Sequence, residues 1–203
     1  MIYIVNGFPG CGKTTFERAV CSLVEKSAIR STIDPIKDVA WELGWDGEKD
    51  EKGRKFLSEL KRITTEYCDY ASVKIIKEVD EILEEYPDCV VFIDCREPEN
   101  IEKLCAWFNA KSVLIRRASV ENKEWNNYSD SHILDYDYDI VIGNNGSLHD
   151  LSELAEEFVK KEGLKKIKSP HYINLFGEIV VPFYPREITL NQQLIDIAKK
   201  IWS

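Results

Sequence analysis

Short apolar runs alternate with amphipathic stretches through the first 160 or so residues, the pattern of an α/β fold with a mainly parallel sheet. Ile2 to Val5 is apolar and is closed by Asn6 and Gly7, and Phe16, Val20, Leu23 and Val24 then share one helical face. The spacing predicts a strand, a glycine loop and a helix. Arg30 to Ile33 is a weaker strand, stopped by Asp34 and Pro35, and Pro35 suits the first turn of a helix running to about Leu43. Gly44 and Gly47 end that helix, and the run GEKDEKGRK reads as a solvated loop. Phe56, Leu60, Ile63, Tyr67 and Tyr70, then Val73, Ile76, Val79, Leu83 and Tyr86, predict one long or two consecutive amphipathic helices, stopped at Pro87 and Asp88.

CVVFID, residues 89 to 94, is continuously apolar and predicts a strand buried on both faces. A helix from about Pro98 to Phe108 follows, then a strand from Ser112 to Ile115 and a polar stretch from Arg116 to Asp135 that reads as a mobile loop or lid. Tyr138 to Ile142 is the last strand of this unit. Ser147, with Asp150 three residues on, opens a helix carrying Leu151, Leu154, Ala155 and Phe158. Five strands and their helices are thus complete in residues 1–161. Residues 162–203 read as a small C-terminal appendage: a polar connector, the apolar segment EIVVPFYP, and a terminal helix bearing Leu194, Ile195, Ala198 and Ile201. That apolar segment is a place where a homodimer could form.

A chain of 203 residues with 44% hydrophobic side chains buries enough apolar surface to fold as one domain plus this appendage. A net charge of -9 opposes the attraction that draws proteins onto DNA or RNA, so a polynucleotide partner is not expected. No apolar run approaches the roughly 20 residues of a membrane helix, and MIYIV lacks the flanks of a targeting segment, so a cytoplasmic location with no membrane contact is expected. The six cysteines form no CxxC pair and read as reduced thiols, mostly core filler. Cys11 reads either as another space-filling residue or as an exposed thiol at a helix N-terminus, where thiolate is favoured.

Gly7-Phe8-Pro9-Gly10-Cys11-Gly12-Lys13-Thr14 matches GxxxxGK[ST] in full, between a predicted strand and a predicted helix. The motif implies a three-layer P-loop NTPase fold with ATP and Mg²⁺ as cofactors. The loop from Gly7 to Thr15 would surround phosphate oxygens with its backbone N–H groups, Pro9 having none to offer, Lys13 would reach the β and γ phosphates, and Thr14 would ligate Mg²⁺. Asp94, ending the buried strand, stands where a Walker B carboxylate faces the magnesium site. A DxxG and an NKxD are missing, which argues against a GTPase. No LSGGQ-like segment points to a transporter ATPase.

Asp34-Pro35-Ile36-Lys37, the segment GWDGEKDEKGRKFLSEL, IDCREPENIEKL from Ile93, and YDIVIGNNGSLHDL from Tyr138 resemble the deoxynucleoside monophosphate kinases of bacteriophages and bacteria. Animal-type phosphomevalonate kinases share part of the pattern. The resemblance covers about residues 1–160 and implies strand order 2-3-1-4-5, small-molecule nucleotide substrates, and phosphoryl transfer to a (deoxy)nucleoside monophosphate. It implies that residues 34–70 bind the acceptor, with Lys37 on its phosphate and Arg54 nearby, and that Arg96 bridges donor and acceptor phosphates. Residues 116–135 would form a lid from which Arg116 or Arg117 covers ATP, and Asn144 would lie beside the adenine. The lid departs from the family in being acidic, with Lys123 its one further cation, and in carrying His132-Ile133-Leu134-Asp135 where a related pattern has His-x-Ser-Glu. His132 suits a packed loop better than a catalyst. Asp34 reads equally as a helix cap and as a carboxylate orienting an acceptor hydroxyl or a metal-bound water, which would suit a kinase of another small metabolite. A nucleotide-binding regulatory protein that presents its appendage to a partner is the reading from outside the enzymes.

Overall fold

The computed structural model describes residues 1–48, 50–121 and 132–167. The interior of the expected lid, with Lys123, and the appendage from residue 168 with its expected dimer contact lie outside the described residues.

The elements run β1 (Ile2–Asn6), α1 (Lys13–Cys21), β2 (Ser27–Ser31), α2 (Asp34–Glu42), α3 (Glu51–Cys68), α4 (Tyr70–Glu85), β3 (Val90–Asp94), α5 (Pro98–Phe108), β4 (Lys111–Arg116), a single turn α6 (Ala118–Glu121), a 3-10 turn (Ile133–Asp135), β5 (Ile140–Gly143) and α7 (Leu148–Lys161). The five strands form one parallel sheet in the order β2-β3-β1-β4-β5, the order the family resemblance implies. Every crossover therefore spans a helix, as parallel pairing requires.

Alternation along the strands builds two cores. Tyr3, Val5, Phe92, Val113 and Ile115 face α1 and α7, where Phe16, Val20, Leu151, Ala155 and Phe158 meet them. Ile4, Ala28, Val91 and Ile93 face the other way, toward Ile75 and Val79 of α4 and Ile101 and Leu104 of α5. These are the three layers, helices on a central sheet on helices. Tyr3, Phe92 and Phe158 stack around one another, with Tyr3 and Phe158 centroids 5.0 Å apart, and hold α7 against the strands that carry the site. A third, smaller cluster of Ile36, Ala40, Leu57 and Ala71 ties α2 and α3 to the start of α4.

Several boundaries move from their expected places. β2 begins at Ser27 rather than Arg30, because its partner β3 extends the pairing back to Ser27 opposite Val90. Ile33 instead precedes α2. The charged run expected as a loop already contains the first turn of α3: Asp50 accepts a hydrogen bond from Gly53 N at 2.7 Å, and a buried Gly53 lets the turn close against Trp45. α3 and α4 are two helices joined by the single residue Asp69, in the left-handed conformation at φ 49°. Lys103 of α5 donates to the Asp69 carboxylate at that joint. β5 starts at Ile140, two residues later than expected, which leaves the Tyr138 ring for the site described below.

The expected connector begins on the core. Leu164 is buried, Lys166 bridges antiparallel to Val24, and Ile167 N donates to Leu23 O at 3.0 Å. Among the described residues no helix is long and apolar enough to cross a membrane.

Candidate active site

β1 delivers the chain to the carboxyl edge of the sheet at Asn6, and residues 7–12 turn it into α1. Gly7, Gly10 and Gly12 take φ of 149°, 81° and 97°, a region that side chains rarely adopt. At Gly7 an added Cβ would strike the Ile115 carbonyl oxygen, and at Gly12 it would strike Asn144 Nδ2. Glycine is demanded at these two positions by conformation and by space together. No acidic residue stands in the first turn of α1, so the positive end of its dipole faces the loop unopposed. Lys13 Nζ donates to Gly7 O at 2.7 Å, folded across the loop it serves.

Asn6 is a strut that the sequence alone does not reveal. Its Oδ1 accepts from Gly7 N at 2.7 Å, and its Nδ2 donates to Arg96 O at 3.0 Å and to Tyr138 Oη at 2.7 Å. Tyr138 Oη in turn donates to Ile133 O at 2.9 Å. One buried side chain thus sets the phosphate loop against the turn that carries Arg96 and the segment from Ile133 to Tyr138.

Asp94 lies at the end of β3, paired with Val5 on one side and Ser31 on the other. Its Oδ1 is buried with no hydrogen-bond partner in the protein. Burial pushes its carboxyl up, the charges of Lys13, Arg96 and Lys37 pull it down, and Asp34 pushes it up. Four charged groups expected from separate stretches of sequence therefore act on Asp94 at one edge of the sheet. Within this set Lys37 donates to Asp34 at 2.8 Å along α2. An orphaned carboxylate oxygen at the strand end and the exposed Thr14 in the first turn of α1 fit a magnesium ion held against phosphates.

Arg54 is exposed on α3. Arg116 is held by Glu121 through two hydrogen bonds, at 2.9 and 2.6 Å. Arg117, by contrast, lines a pocket with Gly12, Thr15, Asn144, Gly146 and Ser147. Asn144 is buried and braces the loop, donating to Cys11 O at 2.8 Å while its own N–H reaches Arg116 O at 2.7 Å. Cys11 is fully buried, and burial pushes its thiol up, so the exposed-thiolate alternative is overturned. Pro9 is half-buried in the loop. His132 opens the 3-10 turn, its carbonyl accepting from Asp135 N at 3.2 Å, ahead of a fully buried Ile133. Lys61 is a further residue that patterning missed: it reaches from α3 to Glu97 at 2.6 Å and to Thr32 Oγ1 at 3.4 Å, closing the gap between α3 and the ends of β2 and β3.

In sequence the chain matches no protein-family model and no curated protein. In structure it is similar to shikimate kinase from Aquifex aeolicus, with 10% identity, 80% of this chain and 97% of that chain covered, and a TM-score of 0.41. A likeness of that degree reaches no further than the layering of strands and helices.

Proposed function

We propose that this protein transfers a phosphoryl group from ATP, with magnesium, to a small phosphorylated acceptor of the (deoxy)nucleoside monophosphate class. The observation that carries the reading is the convergence on Asp94 of Lys13, Arg96, Lys37 and Asp34, beside a loop whose Gly7 and Gly12 leave no room for a larger residue. The acceptor class itself rests on the sequence resemblance.

Phosphoryl transfer asks little covalent chemistry of a protein and much positioning and charge neutralisation. Loop N–H groups and the α1 terminus would hold the β and γ phosphates, and Lys13 would exchange Gly7 O for a phosphate oxygen. Thr14 and Asp94 would hold the magnesium ion, whose charge screens the transferred group when bound. Arg96 would span both phosphates with its planar guanidinium, and Lys37 would bind the acceptor's phosphate. The pocket between Arg117 and Asn144 suits the donor's base and sugar, with Arg117 rather than Arg116 turned toward it.

Incubating the protein with ATP, Mg²⁺ and each ribo- and deoxyribonucleoside monophosphate while measuring ADP is the direct test. Turnover with one or a few is expected, and none with any of them would sink the acceptor assignment. The position of Asp34, close enough to act on Asp94, favours a second reading in which the acceptor offers a hydroxyl that Asp34 orients. Phosphorylated polyols would then give the turnover that nucleotides do not.

A further inference from the structure

Glu17 is the most deeply buried acid of the described residues and takes no part in the chemistry above. It lies on α1 four residues after Lys13 and three after Thr14, hence on the helix face those two share. Its side chain has no solvent exposure, and neither Oε1 nor Oε2 has a hydrogen-bond partner in the protein. Acids are rarely buried without pairing. Arg30, another buried charged residue here, has Glu78 at 3.3 Å. A side chain needed only for volume at this position would be apolar, like its neighbours Phe16 and Val20.

The charges around Glu17 are those of the phosphate site. Burial pushes its carboxyl well up, Asp94 pushes it further, and Lys13 and then Arg18 pull it down. Lys13 is thus a shared counter-charge for two buried carboxylates, each with an oxygen unsatisfied. When Lys13 moves to a phosphate, that counter-charge is drawn toward the nucleotide. The cation that accompanies ATP is the group available to replace it.

We propose that Glu17 is a positioning residue of the magnesium site, its carboxylate accepting hydrogen bonds from the water shell of the cation that Thr14 and Asp94 hold. The inference rests on the ATP- and magnesium-dependent reading above. Glu17 touches no reacting atom and acts through the cation, so its loss is read first in metal affinity.

Mn²⁺ is the probe, titrated by electron paramagnetic resonance into wild type, Glu17→Gln and Glu17→Met, each saturated with a non-hydrolysable ATP analogue. Affinity for the analogue without metal is measured by calorimetry, and folding by circular dichroism. Both variants are expected to bind Mn²⁺ at least about tenfold more weakly, the scale of a lost outer-shell partner, with metal-free analogue affinity within about twofold of wild type. Glu17→Gln keeps the shape of the side chain, so it carries the test should the Met variant fail to fold. Mn²⁺ affinity within about twofold of wild type in the folded variants would reduce Glu17 to a space-filling role and overturn the proposal. A wild type that binds neither analogue nor Mn²⁺ overturns the phosphotransferase reading itself, and the two failures are distinct.

Discussion

Removing the Asn6 side chain tests whether the phosphate loop is held from outside itself. Asn6→Ala deletes three hydrogen bonds, to Gly7 N at 2.7 Å, Arg96 O at 3.0 Å and Tyr138 Oη at 2.7 Å. Each net bond contributes about 1 kcal/mol, and the Gly7 N–H left buried costs about as much again, so a loss of about 3 to 4 kcal/mol is expected. For a domain of this size that is a fall in Tm of about 6 to 16 °C. Thermal and urea unfolding of the two proteins measure it, with an unchanged urea slope showing that the folded state has kept its compactness. Tyr138→Phe and the double variant complete a cycle. Because both residues share one bond, the double variant should lose less than the sum of the singles. A Tm change under about 2 °C for Asn6→Ala, or strict additivity in the cycle, would mean that the loop holds its shape unaided and that the strut argument is wrong.

Three further outcomes follow from the geometry. Lys13→Ala should abolish turnover while circular dichroism still shows a folded chain; retained activity would remove the mechanism. Arg117→Ala should raise the KM for ATP severalfold, whereas Arg116→Ala should change it little, because Arg116 already serves an exposed pair with Glu121. Steady-state kinetics separates the two, and the reverse order would show that Arg116 is the arginine that meets ATP. Burial pushes the Cys95 and Cys105 thiols up to about 12 and about 11, so the folded chain keeps their protons to higher pH than the unfolded chain does. That contribution is whole below about pH 9 and is lost as pH rises through 11 to 12, so urea midpoints should fall steadily above pH 9; a flat profile to pH 11 would contradict it.

The parts of the site legible in the sequence are the local ones. GxxxxGKT is a contiguous solution to the problem of wrapping backbone around phosphate, and Asp94 is marked by the apolar strand it terminates. The strand order came through the resemblance, since nothing in the alternation of β1 with β3 and β4 states which lies beside which. What stayed hidden depends on contacts distant in sequence. Asn6 looks like a strand terminator until Arg96, 90 residues on, and Tyr138, 132 residues on, meet its amide. Glu17 sits in a helical stretch where an acid ordinarily faces water, and only tertiary packing shows that it is fully buried with neither oxygen partnered. Arg116 and Arg117 are adjacent and alike, and Glu121 decides between them. β2 slipped because SAIRS has only Ala28 and Ile29 as apolar residues, too few to mark a strand that pairing with β3 nonetheless imposes.

The joint at Asp69 has a mechanical consequence. α3, 18 residues long and about 27 Å from end to end, meets α4 through one left-handed residue and no loop, while α4 is anchored to the sheet by Ile75 and Val79. The geometry is that of a lever with its fulcrum at Asp69, held by three catches: Lys103 on Asp69, Lys61 on Glu97, and Leu57 in the cluster with Ile36, Ala40 and Ala71. A rotation of about 10° there would swing the tip near Asp50 through about 5 Å, and Lys61, partway along the arm, through a fraction of that. Were those catches released, a small change in a single backbone torsion would be geared into a displacement the size of a substrate phosphate.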